Sequence, residues 1–413
     1  MKKPSGKFWA AMLVFGLMGQ VAWVVENMYF NVFIYKMFNA SAADISAMVM
    51  ASAVTAALTT IIMGAVSDKL GRRKAFMSVG YIIWGISIIS FAYIKSVTLT
   101  IVMDCVMTFF GSTANDAAYN AWLTDRGDET NRGKIEGVNS MMPLLAILIV
   151  FGGFMSFNLD TAEAWTKIYY IIGVLTTLIG ISGFFLIEER EDLKDSSENL
   201  AEVLLYSFRP SVCAENKRLY LRLLAFAVFG ISIQIFMPYL LLYYEKGLGL
   251  DNYVLIMAPA ILLAALITFF YGRLYDKKGY RFAALPAFLM LIAGYLILYF
   301  CRQTALVFIG SLLMMSGYLC GMSVFGAAIR DDIPDGLSGR FQGVRIIGQV
   351  FVPGLIGPAI GAWVLRNAEQ ILNSDGTYSF LPNENIFLAA IAPIAVLVAV
   401  WLIKGGKDKE EKA

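Results

Sequence analysis

GAVSDKLGRRK, residues 64–74, sets one acid, two glycines and four cations between two long apolar runs. A weaker copy, GRLYDKKGYR, stands at 272–281. Gly64, Asp68, Lys69, Gly71 and Arg73 match Gly272, Asp276, Lys277, Gly279 and Arg281 at a constant offset of 208. A second correspondence is independent of the first. GKIEGV (133–138) aligns with GRFQGV (339–344) at an offset of 206, which carries Asp125 onto Asp331. Two polar signatures in the same order describe a duplicated unit.

The apolar runs around these signatures set the class. Of 413 residues, 58% are hydrophobic and 15% charged, against roughly 45–50% and about 25% in soluble domains. Such a chain needs lipid as its solvent. A bilayer core takes about 20 apolar residues per helix, and that window predicts spans at 8–36, 42–66, 75–94, 98–123, 135–157 and 165–187. A second set lies at 219–245, 252–274, 283–300, 304–327, 341–365 and 384–404. The first run is too long for a signal-peptide core and lacks a small-residue cleavage site, so it reads as a retained membrane helix. The expected fold is an all-α membrane protein of twelve transmembrane helices. Residues 1–187 form one six-helix bundle, 188–218 a cytoplasmic linker, 219–404 a second bundle and 405–413 a cytoplasmic tail.

The cations give the expected orientation in a cell (plasma) membrane. With both termini cytoplasmic, all but six of the 33 Lys and Arg fall in or beside inner segments. The outer loops hold Lys36, Lys95, Lys167, Lys246, Arg302 and Arg366, one each. Inner loops enriched in this way obey the positive-inside rule. The net charge of +2 gives no reason to expect a nucleic-acid partner. The four cysteines form no close pair, and the chain has no histidine, so proton handling falls to carboxylates. The sequence carries no P-loop, no Ser/His/Asp set, no metal cluster and no dinucleotide fingerprint. It therefore predicts neither an enzyme nor an ATP-driven pump, and no cofactor.

The charged turn resembles the signature loop between helices two and three of the major facilitator superfamily. Twelve spans, a central linker and a degraded second copy fit that family over essentially the whole chain. The resemblance implies a secondary transporter whose halves rock about a central site. It also implies that the turn latches the cytoplasmic side. The latch residues would be Gly64, Asp68, Gly71, Arg72 and Arg73, with Asp276 and Arg281 in the second copy and Arg126 and Arg132 as partners. The residues suit such a role: Gly64 allows close helix approach, Gly71 permits a turn other residues resist, and Asp68 ends a helix where it can meet an arginine or a helix N-terminus.

Ionisable groups inside spans cost about 2.5–3.5 kcal/mol on insertion scales and usually mark a pathway. Here they are Glu26 in span one, Asp104 and Asp116 in span four, and Arg345 near the inner end of span eleven. In span one, Gln20, Trp23, Asn27, Asn31 and Tyr35 are spaced to share one helical face, with Glu26 beside it. Amides, an acid and aromatics suit a polyhydroxylated ligand; the alternative use of such amides is interhelical hydrogen bonding. Asn120 in span four, Gln234 at the Glu26 position of the repeat, and Gln349 beside Arg345 complete the candidate substrate-binding set. The aromatics of span seven could form another cavity wall or simply pack.

Asp116-Ala117-Ala118-Tyr119 is similar to the acid-plus-aromatic pattern in helix four of the glycoside–pentoside–hexuronide cation symporters, where the acid helps bind the coupling cation. Span two departs from that branch: its only acid, Asp44, lies at the end, and Ala56, Thr59 and Thr60 are neutral. A lone buried carboxylate disfavours its charged form and can carry a proton. Asp116 and Glu26 are therefore the candidate cation-coupling residues, with a proton preferred to sodium. The expectation is uptake of a sugar-like or other small polar solute by a monomeric carrier. The alternatives are a proton-driven drug or metabolite exporter of the same fold, or a membrane sensor that does not transport.

Overall fold

A computed structural model of the chain describes residues 5–126, 135, 138–139, 141–189, 205–250, 252–334, 338–373 and 376–410. Within these, ten helical runs are long and apolar enough to cross a membrane. In the first half they are α1 (Gly6–Phe38), α2 (Ala42–Leu70), α3 (Arg73–Tyr93) and α4 (Val97–Asp125), then, after the shorter apolar α5 (Met142–Phe154), α6 (Ala162–Leu186). In the second half α7 (Lys217–Gly247) precedes one 47-residue run, Val254–Phe300. That run would reach about 70 Å, over twice the core of a bilayer. Gly279, with φ 72° and ψ −178°, breaks it into α8 (254–278) and α9 (280–300). Then come α10 (Thr304–Asp332), α11 (Gly343–Leu365) and α12 (Asn385–Glu410). Twelve apolar helices result among the described residues, as the hydropathy of the sequence predicts.

Local signals explain the boundaries. Ser5, Ser96 and Thr161 cap α1, α4 and α6, each side chain accepting from a backbone N–H three residues on. The α5 helix begins at Met142, with Pro143 in its first turn, where a missing N–H costs nothing; Ile135, Val138 and Asn139 before it are also helical. Within the stretch read as linker, a short helix, Pro210–Glu215, precedes α7. Between α11 and α12 stands an antiparallel hairpin of β1 (Gln370–Leu372) and β2 (Tyr378–Phe380), with Gln370 opposite Phe380.

Four helices change pitch along their length. Wider i→i+5 turns occur at Val25–Tyr29 in α1, Ser112–Tyr119 in α4, Tyr243–Gly247 in α7 and Ile347–Phe351 in α11. A tighter turn at Met237–Tyr239 carries Pro238. Such turns often mark functional sites.

The chain divides into two compact units, Met1–Ala40 with Ala47–Tyr206, and Ser41–Ser46 with Ser207–Ala413. The first has large rings in its core, including Tyr81, Trp84, Trp122, Trp165 and Tyr169, each 1% exposed or less. Here α3 meets α6 backbone to backbone. A Cβ on Gly85 would lie 2.5 Å from the Gly173 carbonyl oxygen, and one on Gly173 would lie 2.6 Å from that of Gly85. In the second unit Phe226, Phe229, Phe288 and Phe325 cluster, as do Phe236, Tyr295 and Phe387. Phe229, Phe236, Tyr239, Tyr243 and Tyr244 of α7 are all 1% exposed or less. These rings pack inside the second unit.

Both glycines of the repeated turn take positive φ, 61° at Gly71 and 72° at Gly279. With its ψ, Gly279 falls where essentially only glycine goes, at a cost of order 1–3 kcal/mol for any other residue. Nothing lies within 4 Å of a Cβ added there, so the penalty is purely that of the backbone. Gly279→Ala is therefore expected to lower the melting temperature in detergent. An unchanged melting temperature would mean the turn relaxes freely.

Candidate functional site

The wide turn of α1 carries Glu26, which is 6% exposed. Its Oε1 is hydrogen-bonded with Ser52 Oγ of α2 at 2.7 Å and with Thr108 Oγ1 of α4 at 2.9 Å. The two hydroxyl oxygens are themselves 2.9 Å apart. Glu26 Oε2 has no hydrogen-bond partner among the described residues. One helical turn before Thr108, Asp104 is 2% exposed and its Oδ1 is likewise unpartnered there. Both Asp104 and Asp116 lie within electrostatic reach of Glu26. Asp116 stands on the wide turn of α4, half-buried, with Ser112, Asn115 and Trp23 facing its carboxyl group.

The stripe expected on span one is not a single face. Gln20 and Trp23 are half-buried and Asn27 is exposed, whereas Asn31 is 1% exposed. The i→i+5 turn between them inserts a residue and rotates the rest of the helix, which a constant helical period cannot anticipate. Two of the amides are engaged on their own helix: Asn27 Nδ2 donates to the Trp23 carbonyl (2.8 Å) and Asn31 Nδ2 to that of Asn27 (3.1 Å). Asn120 is exposed and donates to the Asp116 carbonyl at 3.0 Å.

Tyr119, the aromatic of the span-four pattern, belongs to packing. Its hydroxyl donates to the Met12 carbonyl (3.1 Å) and is 3.0 Å from Asn139 Oδ1. Tyr81 of α3 does similar work, at 2.7 Å from the Phe15 carbonyl and 3.0 Å from Asn115 Oδ1. These two phenols pin α1 to α3 and α4 and hold the wide turn of α4 in place. Sequence reasoning passed over Ser52, Thr108 and Tyr81. In the second unit Gln234 and Gln349 are half-buried, on α7 and α11. At Gly357, α11 lies so close to α7 that an added Cβ would meet the Gln234 backbone carbonyl carbon at 2.8 Å.

At the charged turn, Arg73 is 5% exposed. Its Nε donates to Asp125 Oδ2 of α4 at 3.1 Å and its Nη1 to Ser67 Oγ at 2.6 Å. The turn is thus clamped to α4 by Arg73. A buried pair of this kind fixes geometry more than it adds net stability. Gly64 lies against α4, with Ala117 Cβ 3.9 Å from an added Cβ. Arg132 and the side chains of Asp68 and Arg126, expected to meet here, lie outside the described residues. Arg72 begins α3 as its N-cap, with no side-chain bond to the helix.

The second copy is wired differently. The Arg281 guanidinium stacks on Trp401, 5.5 Å from the ring centroid, while Asp331, the counterpart of Asp125, accepts from the Tyr275 hydroxyl. Asp276 is exposed on α8. An ion pair of this unit joins Arg222 of α7 to Asp332 of α10 at 2.8 Å, with Arg218 at 3.2 Å.

A model of the Major Facilitator Superfamily matches residues 8–358. No curated protein matches the chain. Among solved structures, the nucleoside transporter NupG superposes with a TM-score of 0.74 at 13% identity, covering 95% of this chain and 98% of that one. A D-xylose-proton symporter gives 0.71 at 12% identity, covering 96% and 97%. A bacterial homolog of the human lysosomal transporter Spinster, inward-facing and occupied, gives 0.67 at 16% identity, covering 98% and 97%. At these identities the likeness is one of fold.

Proposed function

The chain belongs to the Major Facilitator Superfamily, and we propose that within it the protein takes up a sugar-like or other small polar solute together with a proton. It is a membrane transporter of small solutes and not an enzyme. Alternating access is the mechanism typical of the fold. One observation carries the proton: Glu26, Asp104 and Asp116 all lie in spans of the first unit, and among the described residues no ion pair joins any of the three to a lysine or arginine. A carboxyl group so placed favours its neutral, protonated form, and so can hold a proton.

Asp116 and Glu26 are the coupling groups in this reading. Gln20, Trp23, Asn27, Asn31 and Asn120 of the first unit, with Gln234 and Gln349 of the second, supply polar contacts for the solute. Solved transporters of like fold include one for nucleosides and one that moves D-xylose with protons. Both solutes are polyhydroxylated, which agrees with amide-rich helices in this chain. The turn of Gly64, Asp68, Gly71, Arg72 and Arg73, with its second copy, acts as the cytoplasmic latch. Both termini face the cytoplasm, and the working unit is a monomer.

The test is uptake into proteoliposomes. Labelled pentoses, hexoses, their glycosides and nucleosides are offered under an imposed pH gradient or an imposed sodium gradient. Accumulation of one of them driven by the pH gradient alone is expected. Accumulation driven only by sodium, or expulsion of the solute against its gradient, would refute the proposal.

A further inference from the structure

The three contacts around Glu26 contain a proton-counting problem. Glu26 Oε1, Ser52 Oγ and Thr108 Oγ1 form a triangle with edges of 2.7, 2.9 and 2.9 Å. Each edge lies within hydrogen-bond range. The two hydroxyls supply one hydrogen each, and an ionised carboxylate supplies none. With Glu26 ionised, both hydroxyls donate to its Oε1 and no hydrogen is left for the edge between them. A hydrogen on Glu26 Oε1 would serve all three edges: the acid would donate to one hydroxyl, that hydroxyl to the other, and the second hydroxyl back to the acid. The triangle thus has a place for one exchangeable proton.

Just beyond the ring, Glu26 Oε2 and Asp104 Oδ1 are buried without a partner among the described residues. Tyr169 of α6, 0% exposed, also has an unpartnered hydroxyl and senses the Asp104 charge. The titratable groups near Glu26 among the described residues are Asp104, Cys105 and Asp116 from α4 and Tyr169 from α6; α2 contributes the neutral hydroxyls of Ser52 and, beside Cys105, Thr55. Two buried like charges without a cation cannot both persist. Asp104 is therefore tied to Glu26 as one titrating unit.

We propose that Glu26 and Asp104 form a two-carboxyl proton site, in which Glu26 carries the proton and Ser52 and Thr108 are the positioning residues that hold it there. The site rests on the reading of this chain as proton-coupled, and extends it by giving Asp104, Ser52 and Thr108 roles. Solute contact is not needed for it to load.

Infrared difference spectra of the full chain in nanodiscs, acidic minus alkaline, test this without any transported solute. The wild type should show a carboxylic acid C=O band that shifts in deuterium oxide. The band should be absent from Glu26→Gln. It should change frequency in Thr108→Val, which removes one hydroxyl of the ring. In Asp104→Asn its transition should move to a different pH, because a neighbouring acid is removed. A merely structural Asp104 would leave that transition where it was. Should Glu26→Gln fail to fold, Thr108→Val and Asp104→Asn still decide the matter.

A band that survives in Glu26→Gln, or that ignores both other substitutions, overturns the proposal. So does a sodium-dependent rise in melting temperature at constant ionic strength with no such band; the oxygens would then belong to a sodium ion. If the spectra fail while pH-driven uptake persists, coupling resides at Asp116. If the spectra hold and no solute is accumulated, the transport reading fails and the proton site stands.

Discussion

Asp116→Asn protein is expected to equilibrate solute across a vesicle membrane without concentrating it, and Glu26→Gln protein to do the same. With one proton per solute, a gradient of one pH unit supports roughly tenfold accumulation, because tenfold in concentration and one pH unit are both worth about 1.4 kcal/mol. Replacing the acid by its amide keeps the shape and removes the exchangeable proton. Accumulation should then fall to unity, while counterflow of labelled for unlabelled solute remains measurable. Full tenfold accumulation in both variants would remove these carboxyls from the coupling step. Loss in one and retention in the other would name the single coupling group. The two residues lie on different helices, α1 and α4, and each sits where the helix widens. A change in winding at either turn would move its carboxyl group and could tie proton release to the transport cycle.

The largest structural effect is expected at the seam between α3 and α6. A Gly173→Val side chain would bring its Cβ to 2.6 Å from the Gly85 carbonyl oxygen and 3.0 Å from the Ile89 nitrogen. Neither atom can swing aside, because both belong to helix backbone. Overpacking of this sort typically costs 1–3 kcal/mol and more where nothing yields. In a membrane the loss is compounded, since close backbone approach is itself what holds such helices together. The variant should lose the sharp monodisperse elution of the wild type and melt many degrees lower. Gly152→Val is the control: an added Cβ there meets nothing within 4 Å, and its profile should match wild type. A normal profile for Gly173→Val would show that α3 and α6 can part without penalty.

The fold was legible because lipid leaves few options. Apolar run length gives the spans, and the offset between Gly71 and Gly279 anticipates two turns that prove to share positive φ. The embedded acids could be found because each stands out in an apolar run. Their partners could not. Ser52 and Thr108 resemble many other hydroxyls in spans, and most of those turn back onto their own helix, as Thr55, Thr60 and Thr113 do to the fourth carbonyl before them. Only the tertiary position of Glu26 separates the two kinds. The stripe on span one and the acid-plus-aromatic pattern on span four depended on helical phase and on local spacing. A change of pitch separates the residues of the first, and in the second the Tyr119 hydroxyl is engaged with the Met12 carbonyl and Asn139. At the charged turn Arg73 pairs with Asp125, a residue that the repeat relates only to Asp331.

The single non-helical residue between α8 and α9 constrains how the chain is made. Gly279 is flanked by Asp276, Lys277, Lys278 and Arg281, none of which can rest in hydrocarbon. While α8 is leaving the insertion machinery, no slack connects it to α9, so the two must enter the bilayer as a hairpin rather than one after the other. The same economy leaves no loop there for a protease to cut or for an inserted tag to occupy without unwinding a helix end.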